Sequence, residues 1–459
     1  MDLLSLGHAG WLIEAAGLRL CCDPLIEREH FGGVFEVDPP RRLDAAALRP
    51  DFIFVSHAHP DHFDVPSLAA LAGHDPEAVV VTPDPLVAEA ARALGFTTVH
   101  EVPADQRIEL DGVRVATTAS RADDEWGLMI ASAEGVVWNQ VDSVFAGPDE
   151  VRAVRDRALA ALGRERVDLV LAMGRPMHEI AAQLGRAVDF PFAEYARLLA
   201  ELAAVEAGAI VPASADTAHV GAFAWLNHLV YPVGVERFMA DAGRVCPSAR
   251  VLAPGLGAQF QVRAGEVERL APAPEPGVIE RLGPPVDRGY HPLAIPALVD
   301  PGPPEVEPEA RRIVDAWIHA ELAPALAAHY AEFGVEGPLR LVVEVVYPGD
   351  SPSPGHRGEG HTLIVDAEGA RVSAGVDPGW DARNQVAGTW LAAVIEGRRS
   401  WGQLLLAGLL RGSNRAYTLR SGSLARANLA ELFVYYALPY AESVRRAVAF
   451  ELARASAGD

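Results

Sequence analysis

The sequence predicts an α/β protein: a layered two-sheet domain followed by a smaller α+β domain. Three observations carry this. Short apolar strands alternate with helical patterns through the first 270 residues. A proline-rich stretch interrupts that pattern near residues 271–310. The chain has 459 residues, more than one apolar core usually serves. The expected division is therefore a larger domain over 1–270, a linker over 271–310 and a C-terminal α+β domain over 311–459.

The elements follow in order. Leu3 to Gly7, Gly10 to Glu14 and Gly17 to Cys22 alternate as strands do, with a hairpin turn around Ala16-Gly17. Asp51 to Ser56 is a short apolar run that reads as a buried strand. Residues after His62 turn helical. Val79 to Thr82 is a strand and Leu86 to Leu94 a helix. Further strands are expected at Val113–Ala116, Gly135–Asn139, Asp168–Ala172 and Ala209–Pro212. Beyond the linker, Arg311 to Phe333 reads as an amphipathic helix. Leu339 to Val346 and His361 to Gly375 read as strands, the second folding back at Glu368-Gly369. Helices are expected over Val386–Glu396, Trp401–Leu410 and from Leu424 towards the C-terminus.

Composition narrows the function. The net charge is −23, and such a surface repels phosphate backbones, so nucleic-acid partners are not expected. All 39 basic residues are arginine, which removes lysine-dependent Schiff-base chemistry and P-loop phosphate binding. Cys21, Cys22 and Cys246 are too few for a disulfide framework or a four-cysteine cluster. No apolar run is long enough to cross a bilayer, and a cytoplasmic protein is the expectation.

The chemistry concentrates in Ser56-His57-Ala58-His59-Pro60-Asp61-His62. His57 and His59 stand two apart in chain leaving a strand, so their imidazoles can point one way. Pro60 suits a turn into a helix. Four imidazole or carboxylate ligands within six residues suit a borderline divalent metal. This run resembles the HxHxDH signature of the metallo-β-lactamase superfamily. Leu6-Gly7-His8-Ala9-Gly10-Trp11 and Cys22-Asp23-Pro24 are similar to that fold's opening hairpin. The resemblance spans about residues 1–270 and implies an αββα sandwich with two metals. It assigns His57 and His59 to the first metal, and Asp61 and His62 to the second.

The resemblance implies three more ligands. The first, usually a histidine, falls where Ala119 to Leu128 contains none, so a carboxylate, Glu125 or else Asp124, is expected there. A bridging aspartate after the next strand corresponds to Asp142. A late histidine corresponds to His219, with His228 and then His178 as alternatives. His8 either lines the pocket or makes a structural hydrogen bond. Asp61, Asp142 and Glu125 are the expected catalytic carboxylates. Replacing imidazole with carboxylate enriches the first site in oxygen and favours iron or manganese over zinc.

Two enzymatic readings compete. The segments Asn139 to Ser143 and Ser214 to Tyr231 resemble CMP-sialic acid hydroxylase and the diiron hydroxylases of natural-product pathways, such as the chloramphenicol and platensimycin types. That implies a nonheme diiron monooxygenase using O2. Its substrate would be a bulky, partly apolar intermediate, terpenoid or linked to a carrier or CoA. The three cysteines cannot supply a Rieske cluster, so electrons would come from a separate reductase or ferredoxin. The alternative is a hydrolase with two zinc or manganese ions, acting on an ester, lactone or thioester. A third, binding reading rests on Val386 to Arg411, which faintly resembles sterol-carrier-like domains. The C-terminal domain is expected to shape the substrate pocket or support a homodimer.

Overall fold

The computed structural model describes residues 1–457 except 123–124, 174, 179, 187, 272–276, 292–294 and 351–357. Two sheets form its first half. One runs in the order Glu266–Arg269, Gln259–Arg263, Asp2–Gly7, Gly10–Ala15, Leu18–Cys22, Phe52–Phe54, Val79–Thr82, Val99–Glu101. The other runs Arg107–Leu110, Val113–Ala119, Trp126–Ser132, Gly135–Asn139, Leu169–Ala172, Ala209–Pro212, Arg250–Val251. Period-two alternation puts Trp11, Ile13, Leu20 and Phe54 of the first sheet against Val115, Trp126, Leu128 and Val137 of the second. The indole of Trp126 is fully buried and donates to the Val102 carbonyl at 2.9 Å, so even its polar atom is satisfied.

Helices cover both outer faces. Val65–His74 and Pro85–Ala93 pack on the first sheet. Pro148–Leu162, Phe192–Val205 and Val235–Val245 pack on the second. Asp64 and Asp84 cap the first two helices through their side chains, and each is followed by a proline in the first turn. The layers are α, β, β, α, the metallo-β-lactamase sandwich that the histidine run implies.

The C-terminal part builds a five-stranded sheet, ordered Gly369–Ala374, Glu359–Asp366, Leu339–Val346, Ala382–Ala387, Leu410–Asn414. Its helices are Glu307–Trp317, Ala323–Ala328, Gly388–Ile395 and Trp401–Leu406. Its core continues into the first half, taking in Phe35, Phe223, Leu226 and Tyr231. The proline-rich stretch is held along the way. Ile279–Arg281 pairs with Arg41–Leu43, and Val286 donates its N–H to Asp38 at 2.9 Å.

Some boundaries differ from the sequence reading. Val386 and Ala387 end a strand before the helix Gly388–Ile395 begins, because they pair beside Leu339–Val346. Leu424 lies in a short hairpin of Tyr417–Arg420 with Ser423–Arg426, not in a helix. The last helix starts later, at Tyr440–Ala457, and returns across the chain to rest on Val65–His74 and Pro85–Ala93.

Candidate metal centre

The site lies where the strands Leu18–Cys22 and Phe52–Phe54, which run parallel, end side by side. Their register brings Asp23 against Ser56. Asp23 Oδ1 accepts the Ser56 N–H at 2.8 Å, and Oδ2 accepts the Ser56 hydroxyl at 2.9 Å and His62 Nδ1 at 3.1 Å. These bonds fix two ring tautomers. A carboxylate can only accept, so His62 carries a proton on Nδ1, and Nε2, which faces Asp142, is the nitrogen a metal would take by displacing its proton. The Ser56 hydroxyl gives its proton to Asp23, so its oxygen accepts from His57 Nδ1 at 2.9 Å. That leaves His57 Nε2 facing His59 Nδ1 at 2.8 Å. One buried aspartate therefore aims two imidazoles inward, the outer hydrogen bonding that metal-binding histidines need.

The other ligand-type groups converge on the same point. His62 Nε2 stands 3.2 Å from Asp142 Oδ2 and 3.6 Å from Asp61 Oδ2. His8 Nε2 stands 3.0 Å from Asp61 Oδ2. Two overlapping groups result, His8–Asp61–His62 and His57–His62–Asp142, each with its atoms within 4.8 Å of one another. Asp142 reaches in because the turn after Gly135–Asn139 holds Val141 at φ 52°, a left-handed conformation unfavourable for a β-branched residue. Gly127 makes room for that turn. A Cβ there would meet the Asn139 carbonyl oxygen at 2.8 Å and Ser143 Oγ at 3.1 Å.

The electrostatics suit a cation. Burial opposes a charge on His62, yet the Asp142 and Asp61 carboxylates outweigh it and hold the ring's pKa well above its ordinary value. Burial also disfavours a charged Asp61, but His62 and His8 more than compensate and hold its carboxyl well below the usual range. Burial, reinforced by His62 and His59, keeps His57 uncharged. Asp142 Oδ1 is buried without a hydrogen-bond partner. A buried carboxylate oxygen left bare costs free energy unless a cation or water meets it. Converging imidazole nitrogens and bare carboxylate oxygen fit a bound divalent metal.

Glu125 lies at the edge of this cluster. The residue is 6% exposed, and with His57 and His59 it lines a cavity of about 460 Å³. Burial, then the neighbouring Asp142, pushes its pKa up to about 7, and Ser120 Oγ donates to it at 3.0 Å. Asp124 lies outside the described residues.

The three late histidines do not join the cluster, which corrects the expectation for His219. Its strand, Thr217–His219, pairs with Phe35–Val37, and its ring meets Phe35 edge-on at 4.6 Å. His219 Nε2 points to the carbonyl of Leu406 at 2.9 Å, the last residue of Trp401–Leu406. That carbonyl has no partner within its helix, so a buried neutral imidazole satisfies it. Burial pushes the ring down to about 4. His228 turns to the Gly289 carbonyl at 2.9 Å, and His178 to the Asp189 carbonyl at 3.0 Å.

The sequence reading missed the roles of Asp23 and Ser56. The available signal was two strand ends, each carrying a polar residue, that parallel pairing would align. It also missed His30, on the short strand Glu29–His30. This ring is 2% exposed, neither nitrogen has a partner, and burial pushes it down to about 3 against the pull of Asp61.

Comparison with known proteins fits this geometry. Residues 2–173 match the family described as the beta-lactamase superfamily domain. A Mycobacterium tuberculosis protein described as a Rieske 2Fe-2S iron-sulfur protein is 32% identical over 156 residues, 31% of this chain and 30% of that one. A UPF0173 metal-dependent hydrolase of Salinibacter ruber is 36% identical over 87 residues, 19% of this chain and 30% of the relative. The chain thus spans about a third of the length of these curated relatives. Among solved structures, CmlA, a diiron beta-hydroxylase from Streptomyces venezuelae, aligns at 17% identity with a TM-score of 0.39, over 59% of this chain and 54% of that one. Isothiocyanate hydrolase from Delia radicum gut bacteria aligns at 16% identity with a TM-score of 0.41, over 57% of this chain and 100% of that one.

Proposed function

We propose that this protein is a nonheme diiron monooxygenase that hydroxylates a bulky, partly apolar small molecule. The observation that carries the reading is Glu125, a buried carboxylate beside His57, His59 and Asp142 where the superfamily pattern expects a histidine. His57, His59 and Glu125 would hold one metal, and Asp61 and His62 the other, with Asp142 between them. An oxygen-rich set of this kind favours iron over zinc. Bound iron would supply the activation of dioxygen. The chain's own residues aim the ligands, exclude water and shape the substrate's approach.

The cavity above Glu125 supports the substrate class. Its volume of about 460 Å³ is that of a drug-sized ligand site. Phe31, Phe63 and Leu86 form one wall, and Tyr440, Val444 and Val448 of the last helix form the roof. Electrons would come from a separate reductase or ferredoxin. The three thiols are buried, and burial raises Cys21 to about 12 and Cys22 well above its usual value, so none is suited to hold a cluster. The mycobacterial relatives described as Rieske iron-sulfur proteins favour a redox setting for this domain.

A second reading, a dinuclear metallohydrolase, is favoured by the relatives described as metal-dependent hydrolases. One, from Pyrobaculum neutrophilum, is 29% identical over 196 residues, 80% of its length. Metal analysis decides between them. Protein expressed in iron-supplied medium should hold two irons per chain and consume oxygen once reduced. Two zincs, with no oxygen-reactive reduced state, would overturn the oxygenase reading in favour of the hydrolase.

A further inference from the structure

We infer that His8 is a positioning residue for the second metal's aspartate and not itself a ligand, although its Nε2 lies within ligand distance of Asp61 and His62. This rests on the metal-centre reading and holds for either reaction.

The argument turns on one proton. The Asp216 backbone N–H points at His8 Nδ1 at 3.2 Å. A backbone amide donates and never accepts, so Nδ1 must present its lone pair. The ring's proton is then on Nε2, 3.0 Å from Asp61 Oδ2. A protonated ring nitrogen cannot bind a metal, but it can donate to a carboxylate. The bond is charge-assisted, and the His8 ring is 2% exposed, so little water competes. It fixes the rotation of the Asp61 carboxylate, and a carboxylate oxygen that accepts one hydrogen bond keeps lone pairs for a metal.

The structure holds this donor in place from both sides. His8 occupies the turn between Asp2–Gly7 and Gly10–Ala15 at φ 51°, and its carbonyl accepts the Ser214 N–H at 3.3 Å. Gly7 before it sits at φ 92°, where a Cβ would strike Val37 at 2.6 Å, so the turn has no slack. Asp216 is clamped by two arginines. Arg175 reaches its Oδ1 at 3.0 Å and Arg288 at 3.4 Å, and both guanidinium groups lie over the Tyr231 ring. The positioning line therefore runs from Arg175 and Arg288 through Asp216 and His8 to Asp61. It is separate from the Asp23 line that orients His57 and His62.

Two measurements test this. In the zinc-loaded protein, nitrogen NMR of the His8 ring should show an unprotonated Nδ1 and a protonated Nε2. The reversed pattern, or a metal-bound Nε2, would overturn the inference, and this readout needs no variant. In a metal competition titration with zinc, His8→Ala should weaken the second site about 10–100-fold and leave the first unchanged, the size usual for loss of an outer hydrogen bond. His8→Gln, whose amide can still donate to Asp61, should recover part of that loss. X-ray absorption should count the same number of imidazoles on zinc in wild type and His8→Ala. Loss of one imidazole, or unchanged affinity at both sites, would refute the role. If the chain took up no zinc at all, the metal-centre reading would fail, while the same NMR on the metal-free protein would still report the His8 tautomer.

Discussion

Asp23 accepts three hydrogen bonds, from the Ser56 N–H, the Ser56 hydroxyl and His62 Nδ1, and through them governs two imidazoles. Asp23→Asn is the clean variant, because asparagine tolerates the φ of 41° at this position. It should lower zinc affinity about 10–100-fold, since neither His57 nor His62 is then fixed with Nε2 free. Ser56→Ala should affect His57 alone and cost less; competition titration against a chelator reads both. Metal uptake should also depend on pH with a definite sign. The metal must displace protons from His62, whose pKa is raised, and from Glu125, raised to about 7. Affinity should therefore climb as pH rises through 7 and fall below it; equal affinity at pH 6 and pH 8 would contradict this. At this scale the run His57 to His62 was legible, because its meaning lies in local spacing. His219 was not. Its partner, Leu406, is 187 residues away, and no local pattern distinguishes a ligand from a helix-capping imidazole.

The final helix, Tyr440–Ala457, roofs the metal-facing cavity and rests on Val65–His74 through Val448 and its neighbours. Two acids meet there. Burial raises Asp64 to about 6 and Glu451 to about 7; the Glu27 carboxylate adds to the first shift and the Asp64 carboxylate to the second. A carboxyl whose pKa is raised on folding binds its proton more tightly in the folded chain. Its contribution to stability is therefore full at low pH and is lost as pH rises through about 4.5 to 7. Glu451→Gln should raise the melting temperature at pH 8, where the native side chain is charged, and leave it unchanged near pH 4. Equal effects at both values would show that the roof does not sense this charge. Element types were mostly legible from periodicity, and the ends less so. Val386 and Ala387 suit a buried strand and a buried helix alike, and only their place beside Leu339–Val346 decides.

Across the whole molecule, one apolar cluster links Phe35, Phe223 and Tyr231 of the first half with Leu341, Trp390 and Leu404 of the second. Residues sharing a core unfold together, so far-UV circular dichroism and tryptophan fluorescence should report one coincident thermal transition. Two separated transitions would mean that the halves are independent. The proline-rich stretch from residue 271 breaks the sequence pattern but does not reveal this shared core, which depends on contacts between distant segments. The net charge of −23 adds self-repulsion to the folded state, and moderate salt should raise the melting temperature by screening it. The roof over the cavity has a further consequence, in the order of synthesis. The cluster residues, His8 to Asp142, leave the ribosome roughly 300 residues before Tyr440. At about 5–20 residues per second, the nascent chain exposes its metal ligands for about 15–60 s before the lid exists to cover them. Gln259–Arg263, which flanks Asp2–Gly7 in the first sheet, emerges within that interval. Metal can therefore meet its ligands before the helix that roofs them has been made.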